Sequence, residues 1–310
     1  MSRSVPLLSR ISAVLVACTW FLIVFGASVR VHGAGLACPD WPLCFGEVIP
    51  PIDFGVSLEF GHRVLAGLIS LGFAGVLAGV VRSRDRVGRR TVVLAVLAAV
   101  VLVVQVILGG LTVLELLAEW TVTSHLLAGN TFCMLLLLLT FSLREAHEAP
   151  SRAPVGWAVR VLAGGLAISV VAQLALGGLV SSSYAGLACG TWPTCDGTNW
   201  FPTFRGLVGL QLMHRLVAYV VVVAAAAVLA ASWGTPRARK AATVVFLAVL
   251  LQATLGVANV FLRLPVEVTL AHSFGAAGVV LATAWLNWEA LCAPVLAGQA
   301  APRGAELEVA

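Results

Sequence analysis

Eight long apolar runs, separated by short polar segments, organise the chain: about 11–29, 58–81, 91–114, 121–143, 161–181, 207–232, 241–262 and 268–288. Runs of about 20 apolar residues are long enough to cross ~30 Å of hydrocarbon as helices rising ~1.5 Å per residue. The pattern predicts an all-α membrane protein with eight transmembrane helices. Composition agrees, with 60% hydrophobic and 11% charged residues and a mean hydropathy of +1.01. A soluble domain carries about 25% charged residues, so this chain has too few to cover a water-facing surface.

The net charge of +5 reflects placement rather than affinity for nucleic acid. Arg82, Arg84, Arg86, Arg89 and Arg90 lie between spans 2 and 3, and Arg144, Arg152 and Arg160 between spans 4 and 5. Arg237, Arg239 and Lys240 lie between spans 6 and 7. With Arg3, Arg10 and Arg303, 14 of the 19 basic residues fall on one side. The positive-inside rule makes that side cytoplasmic and places both termini there, as an even number of spans requires. "LVAC" at 15–18 is similar to a lipoprotein cleavage box, but the apolar run continues through Phe25, so span 1 reads as an uncleaved anchor.

The two halves repeat. "AGLACPDWPLCFG" (34–46) returns as "AGLACGTWPTCDG" (185–197), and "LEFGHRVLAGL" (58–68) aligns with "LQLMHRLVAYV" (210–220). "QVILGG" (105–110) aligns with "QATLGV" (252–257), and "TVTSHLLAG" (121–129) with "EVTLAHSFGAAG" (267–278). Offsets of 147 to 152 residues indicate a duplicated four-helix unit. The expected organisation is an N-terminal bundle (1–143), a cytoplasmic linker (144–160), a C-terminal bundle (161–290) and a cytoplasmic tail (291–310). Each copy holds an even number of spans. Two antiparallel four-helix bundles related by an axis along the membrane normal follow.

Four histidines occupy repeated positions. His62, His125, His214 and His272 each stand about one turn inside spans 2, 4, 6 and 8, entering from the outer side. A single intramembrane histidine is most simply an interhelical hydrogen-bonder. Four at matched depth, one pair per bundle, point instead to function, because ionisable groups in spans are costly. Two imidazoles on adjacent helices can clamp one metal from opposite faces. Haem suits such a pair because a bundle interior can hold the macrocycle. Copper also takes imidazole but needs further ligands. Both sites lie near the outer face, which does not suit an electron wire across the bilayer. His32, at the outer end of span 1, reads as interfacial, and His147 as cytoplasmic surface.

The copies differ at one titratable position. Glu59 precedes His62 by three residues, on the same helical face, and Gln211 holds that place before His214. Glu59 is open to two roles, an interfacial carboxylate favouring the helix dipole or an acid/base group beside a cofactor.

"GLACPDWPLCFG", "EFGHR", "HLLAGN", the His214–Arg215 pair and "AHSFGA", in this order and within this duplication, resemble the haem A synthase family over nearly the full length. That resemblance implies an oxidoreductase that converts haem O to haem A, the cofactor of terminal oxidases, by oxidising a porphyrin methyl to a formyl group with water as oxygen source. It implies that His62 and His125 ligate the substrate haem O, that His214 and His272 ligate a haem b cofactor, and that Glu59 is the catalytic carboxylate. Arg63 and Arg215, next to their histidines, become candidates for propionate contacts or interfacial anchors. The family's "TGSGLSC" is "HGAGLAC" here, with the turn glycines Gly33 and Gly35 kept.

The pairs Cys38/Cys44 and Cys189/Cys195 have C-x5-C spacing in an oxidising compartment and predict two local disulfides. Structural zinc favours shorter spacing. A purely structural role is the simpler one for both, with Cys38–Cys44 the better placed for redox work. Cys18, Cys133 and Cys292 stand outside these pairs. The expected setting is a bacterial cytoplasmic (inner) membrane. Haem O would come from haem O synthase, and electrons would leave to a separate acceptor; a homo-oligomer is compatible with the sequence. Two other readings compete: a di-haem electron-transfer or quinone-linked cytochrome, and a haem carrier. The Glu59/Gln211 asymmetry favours an enzyme over both.

Overall fold

A computed structural model describes residues 4–148 and 153–294. Arg3, Arg152 and Arg303 of the basic set, and residues 295–310 of the expected tail, lie outside the described residues. Eight helices follow in order: α1 (Ser4–Val31), α2 (Phe54–Arg82), α3 (Arg84–Leu114), α4 (Glu119–Glu145), α5 (Trp157–Ser182), α6 (Gly206–Ala231), α7 (Pro236–Phe261) and α8 (Val266–Cys292). All eight are long and apolar enough to cross a membrane.

Several helices outrun their apolar windows. The basic stretch between spans 2 and 3 is the clearest difference, since it is helical from Arg84 and bends at Gly88, where φ is 77°. Hydropathy ends where charge begins, but arginine is a strong helix former and its long stem lets it snorkel to the headgroup layer. The sign of φ at the bend suits glycine.

Within the first copy, α1 packs on α2, α2 on α3, α3 on α4 and α4 back on α1; α5 to α8 close the same ring. Between copies the contacts are α1–α8, α4–α5 and α4–α8. Exchanging the copies turns α1–α8 into α4–α5 and maps α4–α8 onto itself, as a two-fold axis beside α4 and α8 requires. The turns repeat too. Leu116 and Leu117 (φ 51° and 63°) join α3 to α4, and Arg263 and Leu264 (φ 61° and 60°) join α7 to α8.

Each bundle has its own core, built around Phe73, Leu136, Leu139 and Leu143 in one and Leu166, Val228, Val245 and Leu286 in the other. These residues lie deeper than the histidines, in the half of each bundle away from the cysteine loops. Between lipid-bathed helices such packing stabilises by van der Waals contact rather than by removal from water. The bundles are joined by a stack of Trp20 on Phe274, centroids 4.4 Å apart, and by Arg30 donating to the hydroxyl and carbonyl of Ser181.

Candidate functional site

His62 and His214 are each the ninth residue of their helices, and His125 and His272 each the seventh. The apolar windows place them about one turn in. Because the helices start earlier, they stand about two turns in, ~9–12 Å along the axis. The ring of packing also corrects the expectation of adjacent helices. In each ring α2 stands diagonal to α4, and α6 to α8, so each pair approaches across the bundle interior. His62 and His125 are within electrostatic reach of each other, as are His214 and His272.

Each imidazole lies against a glycine of the preceding odd-numbered helix. A Cβ at Gly26 would sit 2.9 Å from Cε1 of His62, and one at Gly109 3.0 Å from Cε1 of His125. At Gly177 and Gly256 it would sit 3.1 and 3.2 Å from Cε1 of His214 and His272. All four distances are tighter than ordinary van der Waals contact, so only a residue without Cβ lets the ring lie flush on the helix. One turn deeper, three of these helices carry a glutamine. Gln105 Nε2 is 3.3 Å from Nε2 of His125, Gln173 Nε2 is 3.2 Å from Nδ1 of His214, and Gln252 Nε2 donates to the carbonyl of His272 at 2.9 Å. In α1 that place holds Leu22. Sequence reasoning missed these eight positions, although the aligned segments 105–110 and 252–257 each begin with the glutamine and contain the glycine.

The cysteine loops cover the same end of each bundle as the histidines, and Cys38–Cys44 and Cys189–Cys195 are disulfide-bonded. Gly33 has a positive φ of 68°, and Gly35 seats Leu117 of the α3–α4 turn, as Gly186 seats Leu264 in the second copy. Arg63 donates to the carbonyls of Asp40 and Leu43 at 2.8 and 2.7 Å. Arg215 repeats this on Thr191 and Cys189 at 2.9 and 2.7 Å. Each arginine therefore ties its loop to the helix that carries the histidine, and a propionate would be a further acceptor on a guanidinium already held in place.

Glu59 is 5% exposed. Its Oε2 accepts the backbone N–H of Cys38 at 2.8 Å, and its Oε1 pairs with Arg63 at 2.6 Å. Gln211, equally buried, donates to the carbonyl of Gly186 at 3.2 Å. In the second loop, the Asn199 side chain and the backbone N–H groups of Asn199 and Thr198 hold the Asp196 carboxyl well below the usual carboxylate range. His32 sits just past α1 against Phe54, and His147 is exposed after α4.

Several buried polar atoms around the histidines have no partner within the described residues: Nδ1 of His62, His125 and His272, and Oε1 of Gln105, Gln173, Gln211 and Gln252. Buried polar groups are normally paired, so their gathering here marks a place completed by another molecule. Among the described residues no three of His, Cys, Asp and Glu gather as a bare metal ion would need. A porphyrin brings its own four nitrogens and needs only the axial two, so the donor set fits haem.

These features define a class: a duplicated eight-helix membrane protein whose two bundles each hold a diagonal histidine pair beneath a disulfide-closed loop. Residues 9–284 match the COX15-CtaA family, described as cytochrome oxidase assembly protein, and the chain belongs to that family. A protein of Shewanella oneidensis named heme A synthase is 28% identical, covering 87% of this chain and 92% of its own. One of the same name from Geobacillus kaustophilus is 31% identical over 82% of each chain, and one from Brucella anthropi is 28% identical over 87% of each.

Proposed function

We propose that this chain is a haem A synthase that oxidises a porphyrin methyl of haem O to the formyl group of haem A in the bacterial cytoplasmic membrane. Family membership and the names of its relatives support the activity. The observation that carries the assignment of roles is the asymmetry of otherwise matched bundles: Glu59, ion-paired and buried, against the neutral Gln211. The N-terminal unit (1–143) is the substrate site, where His62 and His125 hold haem O by its iron. The C-terminal unit (161–290) holds haem b through His214 and His272. Haem b there supplies one-electron redox chemistry.

Converting the methyl to the formyl group takes one water and releases four protons and four electrons, the electrons to an acceptor outside this chain. Positive charge developing at the porphyrin rim would be stabilised by a fixed carboxylate in a site shielded from water. Glu59 is such a group, and the Cys38 N–H and Arg63 fix its two oxygens in place. The glycines set the imidazole planes, and the arginine-tied loops exclude bulk water from above. The basic inner loops and both termini face the cytoplasm, and both disulfides face the oxidising side.

The test is pigment analysis of membranes that contain the protein together with a supply of haem O. Wild type should yield haem A, and His62→Ala should yield none. Haem b alone would instead indicate a membrane cytochrome, and haem O passed on unchanged would indicate a carrier.

A further inference from the structure

A metal-bound imidazole depends on the partner of its other ring N–H, which fixes the ring and raises its strength as a ligand. Nδ1 is buried without a partner in His62, His125 and His272. At His214 a side chain does reach that atom: Gln173 Nε2 lies 3.2 Å from Nδ1 and 3.4 Å from Nε2 of the ring. Oε1 of the same carboxamide is buried and unpartnered. A half-turn of the amide exchanges donor for acceptor, so Oε1 can take the Nδ1–H when Nε2 of the ring is committed to iron. The other two glutamines do not reach an Nδ1: Gln105 approaches Nε2 of His125 alone, and Gln252 bonds the backbone of His272. In α1, Leu22 stands four residues before Gly26 as Gln173 stands before Gly177, and it offers no polar atom.

We propose that this difference sorts the two bundles into a retaining site and a releasing site. Gln173 is a positioning residue that anchors His214 and keeps the C-terminal haem resident. Leu22 leaves His62 a weaker ligand, from which a haem product can depart. The inference rests on the proposed function, in which substrate and product are both haems and one site must exchange while the other must not.

The experiment uses the purified full-length protein, with haem transfer to excess apomyoglobin and a redox titration as readouts. The C-terminal haem is identified as the one that His214→Ala removes. In Gln173→Leu it should leave about 10-fold faster or more, the usual loss when such a partner is removed, and its midpoint potential should rise. In Gln173→Glu the potential should fall, because a carboxylate is a stronger acceptor. Opposite shifts distinguish positioning from a packing defect, which would move both variants alike. Leu22→Gln should slow release from the N-terminal bundle. Unchanged release and potential in Gln173→Leu, or unchanged release in Leu22→Gln, would overturn the inference while leaving the proposed function intact. A protein from which His214→Ala removes no haem would overturn the function assigned to that bundle, and the inference with it.

Discussion

Glu59 and Arg63 form an ion pair one helical turn apart, with side chains 6% and 16% exposed, and the matching Gln211 cannot form one with Arg215. The two arginines otherwise do the same work on their cysteine loops. Removing Arg63 strands a buried carboxylate, whereas removing Arg215 strands no charge. Arg63→Ala should therefore destabilise the protein by about 1–3 kcal/mol more than Arg215→Ala, the cost of an unsatisfied buried group. Adding Glu59→Gln to Arg63→Ala should recover part of that difference. Thermal unfolding of the detergent-solubilised variants measures it, and equal effects of the two arginine changes would refute the asymmetry.

The glycine seats make a second prediction. Gly26→Ala and Gly256→Ala should push the rings of His62 and His272 off their helices, costing about 1–3 kcal/mol as overpacking does. The shift should appear in the electron paramagnetic resonance of the haem in the affected bundle. Gly164→Ala, where nothing lies within 4 Å of an added Cβ, is the control. Unchanged spectra in both seat variants would show that the contacts do not set ligand geometry.

Both disulfides should protect their cysteines from alkylation until a reductant is added. Opening a closed loop of about seven residues by Cys38→Ala should cost roughly 2.4 kcal/mol on the chain-entropy model. The loop should stay docked, since Arg63 and Glu59 hold it through backbone atoms. Labelling of Cys38 and Cys44 without reductant, in membranes prepared under oxidising conditions, would contradict the assignment.

Much of the fold was legible because a membrane imposes length and apolarity on each span, and because duplication writes every motif twice. The eight spans, the two loops and the four histidines all follow from those constraints. The seats of the histidines did not, although Gln173-x3-Gly177 and Gln252-x3-Gly256 share their spacing with Gln105-x3-Gly109. Glycine in a membrane helix more often serves plain helix packing, and only the diagonal arrangement of each ring shows which ring atom it faces. The partners of Arg63 were hidden for a different reason. Loop carbonyls carry no side-chain signature, so the sequence offered propionates or the interface as partners of this guanidinium, and the bonds to Asp40 and Leu43 emerge only once the loop is folded. The helical basic stretch from Arg84 was missed because hydropathy stops at charge and helices do not.

The rate of haem A formation by Glu59→Gln, with occupancy of both haems measured in the same sample, tests the central claim most directly. Glutamine keeps an oxygen for the Cys38 N–H and matches what the second bundle carries at 211, so the fold and both haems should persist. The charge is lost, and loss of one preorganised electrostatic stabiliser costs about 2.7–4 kcal/mol, or roughly 100- to 1000-fold in rate. The account predicts a protein with full haem content that makes haem A slower by about that factor. Haem A formation at close to the wild-type rate would contradict it and leave Glu59 an anchor for the cysteine loop.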